Sequence, residues 1–168
     1  MNRLRSLLVV TAVVGACAAL PSTVSARASK AAAPKPCTDS TRACVIEAAN
    51  TYLKALISHD ATQIRLAPNA RRTENGMATG DNAATIRKSL TPPTPDQSNV
   101  AMRQKRWWVE GENAICYYLL DTSTIPPTPL HTTTTHIAER FRVRNGLIYE
   151  IEAIFWASPG SAPEGSGW

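Results

Sequence analysis

The sequence predicts an α+β fold, with helices first and then an antiparallel sheet that they cover on one face. Three observations carry this. Val45, Ala48, Ala49, Tyr52, Leu53 and Leu56 recur at helical spacing. Residues 101–121 and 131–156 read as four long strands rich in Thr, Ile, Val, Tyr and Trp. Turn residues split them into two hairpins, at Gly111-Glu112-Asn113 and at Asn145-Gly146. A chain of 168 residues suits one domain with appendages.

The N-terminal stretch concerns destination. Arg3 and Arg5 precede a short apolar run, Leu7 to Ala16, and Val24-Ser25-Ala26 and Ala26-Arg27-Ala28 are small-x-small cleavage candidates. The run is too short to form a stable membrane span. Residues 1–26 therefore read as a signal peptide, and the protein as secreted. An alternative is that Val14-Gly15-Ala16-Cys17 is a lipobox, with acylated Cys17 tethering the protein to the cell envelope. Val14 at the usual Leu position, and the two ordinary cleavage sites downstream, favour soluble secretion. Residues 27–36 (Ala, Lys, Ser, Pro) form a linker, residues 37–157 the domain, and residues 158–168 a Ser/Gly/Pro tail expected to be disordered.

Within the domain, Thr41 is the expected N-cap of the first helix, and Ser58-His59-Asp60 its end. Asp60 to Leu66 is expected to start a short second helix, stopped by Pro68. Thr73-Glu74-Asn75-Gly76 reads as a short strand or turn, and Asp81 as the cap of a helix over residues 83–90. The Pro-Pro-Thr-Pro strings at 92–95 and 126–129 read as extended loops. Ala114–Asp121 is apolar on both faces and should be a central, covered strand.

The register of the last hairpin decides which side chains face inward. A two-residue loop at Asn145-Gly146 would set Glu139 against Glu152 and Phe141 against Glu150. A three-residue loop, Arg144-Asn145-Gly146, sets Phe141 opposite Tyr149, Ile137 opposite Ala153 and Glu139 opposite Ile151. It sorts one apolar face from one charged face and is preferred, because a one-residue slip inverts every side chain. It leaves Glu139 on the apolar face. A carboxylate there is desolvated and its pKa rises unless a cation pairs with it, so Glu139 is a candidate acid, base or hydrogen-bond donor. An Arg from elsewhere, or a bulge turning Glu139 outward, is the structural alternative.

Charge and cysteines narrow the classes. The formal charge is +5, and loss of Arg3 and Arg5 with the signal peptide leaves +3. The one basic-aromatic cluster, Arg103, Lys105 and Arg106 beside Trp107-Trp108, lacks a basic stripe or motif, so nucleic-acid binding is not expected. Beyond Cys17, the cysteines are Cys37, Cys44 and Cys116. Export suits disulfides. Cys37–Cys44 is the preferred pair, stapling the entry to the first helix, with Cys116 a buried thiol or a partner for either. Three scattered His residues give no metal-ligand spacing, and a nucleophile elbow, P-loop and dinucleotide fingerprint are missing.

The order of elements, with AANTYLKALISHD, LAPNARRTENG and HIAERFRVRNGLIYEIEAI, resembles the cone-shaped α+β superfamily of nuclear transport factor-like proteins, ketosteroid isomerases and polyketide cyclases. LAPN and TENG with an N-terminal Cys resemble, more narrowly, exported members of uncharacterised function. The resemblance covers about residues 43–156. It implies a curved antiparallel sheet wrapped around the N-terminal helices, with a mostly apolar pocket open at one end. It implies cofactor-free isomerases, cyclases, dehydratases and epoxide hydrolases, or non-enzymatic binding modules, and fold alone does not choose among them. No catalytic pattern of the enzymes maps onto the chain.

Site candidates therefore come from the residues. Glu139 and His131 fall on one pocket wall and form a candidate acid–base pair, with a solvated loop-end His131 as the alternative. Thr135 shares that face. Glu74 and Asn75 border the expected pocket mouth, Glu74 as a third acid–base candidate and Asn75 as a ligand contact or turn residue. Tyr52, Tyr117 and Asp121 complete the candidate ligand contacts, Tyr52 serving otherwise as core. The outer face, with Arg140, Arg142, Ile148, Glu150, Glu152, Ile154 and Trp156, is a candidate homodimer interface. The leading expectation is a binding module for a small hydrophobic molecule. The alternatives are a cofactor-free acid–base enzyme and an envelope-associated structural domain with a filled pocket.

Overall fold

A computed structural model describes residues 37–91, 98–123 and 132–158. Cys17, His131, both Pro-Pro-Thr-Pro strings, the signal and linker segments and the tail lie outside the described residues. The element order is α1 (Arg42–Ser58), β1 (Leu66–Glu74), β2 (Met77–Gly80), α2 (Ala83–Leu90), β3 (Ser98–Glu110), β4 (Asn113–Ser123), β5 (Thr132–Arg144) and β6 (Leu147–Ser158). The six strands form one sheet in the order β2-β1-β6-β5-β4-β3. It is an α+β cone: a curved, open sheet with two helices.

Thr41 caps α1 as expected, its side chain accepting from the Cys44 N–H, and His59 ends the helix in the left-handed conformation. The apolar stripe Val45, Ala48, Ala49, Tyr52 and Leu53 is buried against the sheet. The Tyr52 ring meets the Phe141 ring of β5 edge-on at 5.7 Å, and Trp107 of β3 lies 6.3 Å from the Phe141 ring. Burial of a side chain such as Leu53 stabilises by about 2 kcal/mol, and Leu53→Ala would open a cavity under the sheet. The Cys37–Cys44 disulfide closes the segment leading into α1, and Cys116 is a buried free thiol.

Four expectations need correction. No helix forms over residues 60–66; that segment is a turn leading into β1, and Pro68 lies within β1. Asp60 accepts from the Thr62 N–H and hydroxyl, while the Thr51 hydroxyl accepts the Arg65 N–H, so side chains outbid a helical turn for these backbone groups. The cap of α2 is Asn82, in a reciprocal capping box with Thr85, and Asp81 instead accepts from the Thr85 hydroxyl. The sheet is mixed: β1 pairs with β6 in parallel, and the other pairings are antiparallel. Finally, β5 and β6 take neither expected register. A two-residue turn sets Arg144 against Leu147, with Asn145 and Gly146 at φ of 49° and 72°. The register then shifts between Arg142 and Val143, leaving Tyr149 as the extra residue. Beyond that bulge Phe141 faces Ile151, Glu139 faces Ala153 and Ile137 faces Phe155. The apolar face is thus sorted from the charged face as the pattern demands, but the bulge that achieves it sits in the strand and not in the loop.

Further irregularities occur within β1 and twice in β3, where Gln104 adopts a φ of 57°. Such bulges bend a strand, and here they accompany the curvature of the cone. β4 is covered as expected but not central: it lies between β5 and the edge strand β3, and Ala114, Cys116, Tyr118, Leu119 and Leu120 are all buried on it.

Candidate functional site

Strand alternation sends Thr135, Ile137, Glu139 and Phe141 of β5 to the concave face, with Cys116, Tyr118, Leu120 and Thr122 of β4 beside them. The pairing sets Cys116 opposite Glu139 and Tyr118 opposite Ile137. The Tyr118 hydroxyl donates to Glu139 Oε2 at 2.7 Å. Helix α1 adds Tyr52 and Leu56, β1 adds Glu74, and β6 adds Ala153 and Phe155. Together with Asn99 these residues, Cys116 and Phe141 apart, line a pocket of about 240 Å³.

Glu139 is 2% exposed. Burial pushes its carboxyl up to about 7, against the opposing pull of the Tyr118 hydroxyl and the Arg72 guanidinium. Arg72, also buried, stands behind the wall. It donates through Nε to the Thr79 hydroxyl at 3.0 Å, through Nη2 to the Thr79 carbonyl at 3.2 Å and through Nη1 to the Tyr52 hydroxyl at 3.3 Å. Its Nε lies 3.6 Å from Glu74 Oε1. A chain of polar groups therefore runs from half-buried Glu74 through Arg72 and Tyr52 toward Glu139 and Tyr118. Burial, and then the Glu139 charge, raise the pKa of both Tyr hydroxyls, so both stay protonated donors. The same two causes push the Cys116 thiol up to about 12, which leaves it a thiol at neutral pH.

Glu139, Glu74, Tyr52 and Thr135 thus meet in one pocket. Asn75 does not offer its amide there. It sits in the β1–β2 turn at a φ of 47°, its Nδ2 donating to the Phe155 carbonyl at 3.2 Å and its Oδ1 accepting from the Phe155 N–H at 2.9 Å. Tyr117 and Asp121 face the convex side. Tyr117 lines a hollow of about 300 Å³ with Arg106, Trp107 and Trp108. Asp121 is bound twice by Arg103, at 2.8 and 3.1 Å, and accepts from the Thr134 hydroxyl at 2.7 Å. Ile148 also departs from expectation: the Tyr149 bulge turns it into the core, where it is fully buried. Arg140 and Arg142 bind Glu150 and Glu152 on the outer face, and Trp156 stacks on His136 at 4.8 Å.

Tyr118 and Arg72 escaped the sequence reading. Tyr118 was within reach: once Glu139 faces inward, the β4–β5 pairing selects Tyr118 over its neighbour Tyr117. Arg72 was not, because its inward turn depends on the β1–β6 pairing, about 80 residues apart. A larger groove of about 670 Å³ runs between α1 and β3 and includes Lys54, Asp60 and Lys105. Those three are exposed and Asp60 accepts from Thr62, whereas the buried, perturbed titratable groups lie in the smaller pocket. Among the described residues no cluster of His, Cys, Asp and Glu is arranged to hold a metal ion.

A cone of six curved strands with a pocket on its concave face has the nuclear transport factor-like fold. Solved structures share the fold. An epoxide hydrolase/cyclase-like enzyme, SalBIII, described in pyran ring formation in salinomycin, has a TM-score of 0.59 at 11% identity over 70% of this chain and 95% of its own. An LEH-like epoxide hydrolase of M. tuberculosis has a TM-score of 0.56 at 15% identity, over 67% of this chain and 82% of its own. A SnoaL-like polyketide cyclase structure from Shewanella putrefaciens also has a TM-score of 0.56, at 10% identity, over 66% of this chain and 88% of its own. At such identities the likeness concerns the fold alone. No curated protein matches the sequence. Residues 38–155 match the family described as a domain of unknown function, DUF8021, and the chain belongs to that family.

Proposed function

We propose that this protein is exported and that its concave pocket binds a small molecule with an apolar body and one polar group. The Glu139–Tyr118 pair anchors the polar group, and Leu56, Ile137, Ala153 and Phe155 enclose the rest. The observation that carries this reading is the buried carboxyl on the wall of an otherwise largely apolar pocket, joined to Tyr118 at 2.7 Å. At about 240 Å³ the pocket suits a small ligand. Export is supported by the Cys37–Cys44 disulfide, which an oxidising compartment maintains, together with the leader-like residues 1–26.

A second reading, proton transfer on the bound molecule, is favoured by one observation: Glu139 titrates near 7, where a carboxyl can both give and take a proton. Residues Glu139 and Glu74 would then act as acid–base groups, without a cofactor.

Native mass spectrometry of the protein purified from its host's culture fluid tests the main reading. Recovery from the fluid with a bound small molecule, lost in Glu139→Gln, is expected. Retention inside the cell would refute export. An empty protein that also takes up no member of a library of small amphiphiles would refute the binding reading.

A further inference from the structure

The charge of the pocket restricts what it can hold. Among the described residues its wall carries two carboxylates, Glu139 and Glu74, and no Lys, Arg or His. Arg72 is the cation that acts on Glu139, and three of its five N–H groups go to Thr79 and Tyr52, with Glu74 Oε1 at 3.6 Å from its Nε. Glu139 therefore shares the Arg72 charge with Glu74, and among the described residues it has no direct ion pair of its own. Its hydrogen bonds come from neutral hydroxyls, Tyr118 at 2.7 Å and Tyr52 more weakly. Around it stand the rings of Tyr52, Tyr118 and Phe155, whose π faces attract cations. An anionic ligand would enter against two carboxylates. A neutral ligand would gain hydrogen bonds but would offer no partner to Glu139 in its ionised form. A cation matches it, and buried charges persist when paired.

We propose that the pocket is a receptor for a small alkylammonium, a protonated tertiary amine whose N–H donates to Glu139 and whose alkyl groups lie against Leu56, Ile137 and Phe155. This deepens the binding reading above and rests on it. Binding carries a proton signature. Below neutrality Glu139 is mostly protonated in the free protein, and the incoming ammonium ionises it, so each ligand bound releases up to one proton to solvent.

Three probes of similar size separate the ligand classes: N-methylpyrrolidinium (cation), N-methylpyrrolidone (neutral) and cyclopentanecarboxylate (anion). Isothermal titration calorimetry of the full chain near pH 6, in buffers of different ionisation enthalpy, reads affinity and proton release together. The cation is expected to bind about tenfold or more tightly than the lactam, with proton release, and the carboxylate not to bind. Glu139→Gln should abolish both the preference for the cation and the proton release. The wild-type comparison stands even if that variant does not fold. Equal affinity for cation and lactam, or cation binding without proton release, overturns the ligand class and leaves the pocket reading in place. No binding of any probe overturns both.

Discussion

Replacing Glu139 by Gln should change how stability depends on pH, and the size of the change follows from its burial. In the unfolded chain this carboxyl titrates near its ordinary value of 4.5, and in the fold it titrates near 7. Between those values the folded state holds a proton that the unfolded state has lost, so raising the pH favours unfolding. The stabilisation is complete below about pH 4.5 and is lost as the pH rises to about 7. Each unit of separation corresponds to about 1.4 kcal/mol, so the total loss is about 3 kcal/mol. Gln keeps the shape and cannot ionise. Urea unfolding of wild type and Glu139→Gln, from about pH 4 to about pH 8.5, gives the difference in unfolding free energy at each pH. Groups that titrate alike in both proteins cancel, as does any constant cost of the buried amide. The difference should move by about 3 kcal/mol in favour of the variant, most steeply between about pH 4.5 and 7. A flat difference would mean that Arg72, or another cation, matches the Glu139 charge, and would refute both the elevated pKa and the unmatched carboxylate.

Other consequences are independent of the ligand. Tyr118→Phe removes the donor to the carboxylate, so the Glu139 pKa should rise further in a carboxyl-carbon NMR titration, with about 1–3 kcal/mol lost above neutrality. Asp121→Asn weakens the partly buried contacts to Arg103 and Thr134. It should cost about 2 kcal/mol in urea unfolding at neutral pH. Arg103 holds the Asp121 pKa below 3.8, so this contribution is present above that value and fades as the pH falls through the folded pKa. Reducing the Cys37–Cys44 disulfide, which closes a loop of sequence separation 7, should lower stability by about 2 kcal/mol in thermal melts with and without reductant. Two turn glycines should part company. Gly76, at a φ of 80° with open space around it, should tolerate Ala at a cost of about 1 kcal/mol. Gly146 is at a φ of 72° with a Cβ position that collides with the Cys37 carbonyl oxygen, so Gly146→Ala should cost at least about 3 kcal/mol.

The extent to which the site was legible followed the range of the interactions. Thr41, the Asn145-Gly146 turn and the stripe from Val45 to Leu53 announce themselves within one or two turns of chain, and they stand where local chemistry puts them. The inward position of Glu139 was also legible, because sorting apolar from charged residues allows only one parity for β5. Its exact partner was not: Ala153 in place of Ile151 depends on a bulge at Tyr149 that no local signal marks. The short helix expected after Asp60 shows the opposite failure. A local pattern was present, but the side chains of Thr51 and Asp60 accepted the backbone hydrogen bonds instead. Tyr117 and Tyr118 are adjacent and chemically identical, so only the pairing of β4 with β5 reveals which one reaches Glu139.

The parallel contact between β1 and β6 has a consequence for how the chain is made. Strand β1 emerges early in synthesis, yet its neighbour on one side is the last strand of the domain. The Asn75 clamp onto the Phe155 backbone spans 80 positions. Until β6 arrives, β1 and β2 are a two-stranded hairpin without a sheet to join, and such hairpins are marginal in water. Arg72 and Glu74 have no pocket wall to belong to before that moment. The binding site therefore comes into being with the final pairing, a long-range closure of the slow kind. A nascent chain lacking its last strand carries Glu139, Tyr118 and Tyr52 but lacks Ala153 and Phe155, and so has the polar pair without the wall that closes over it.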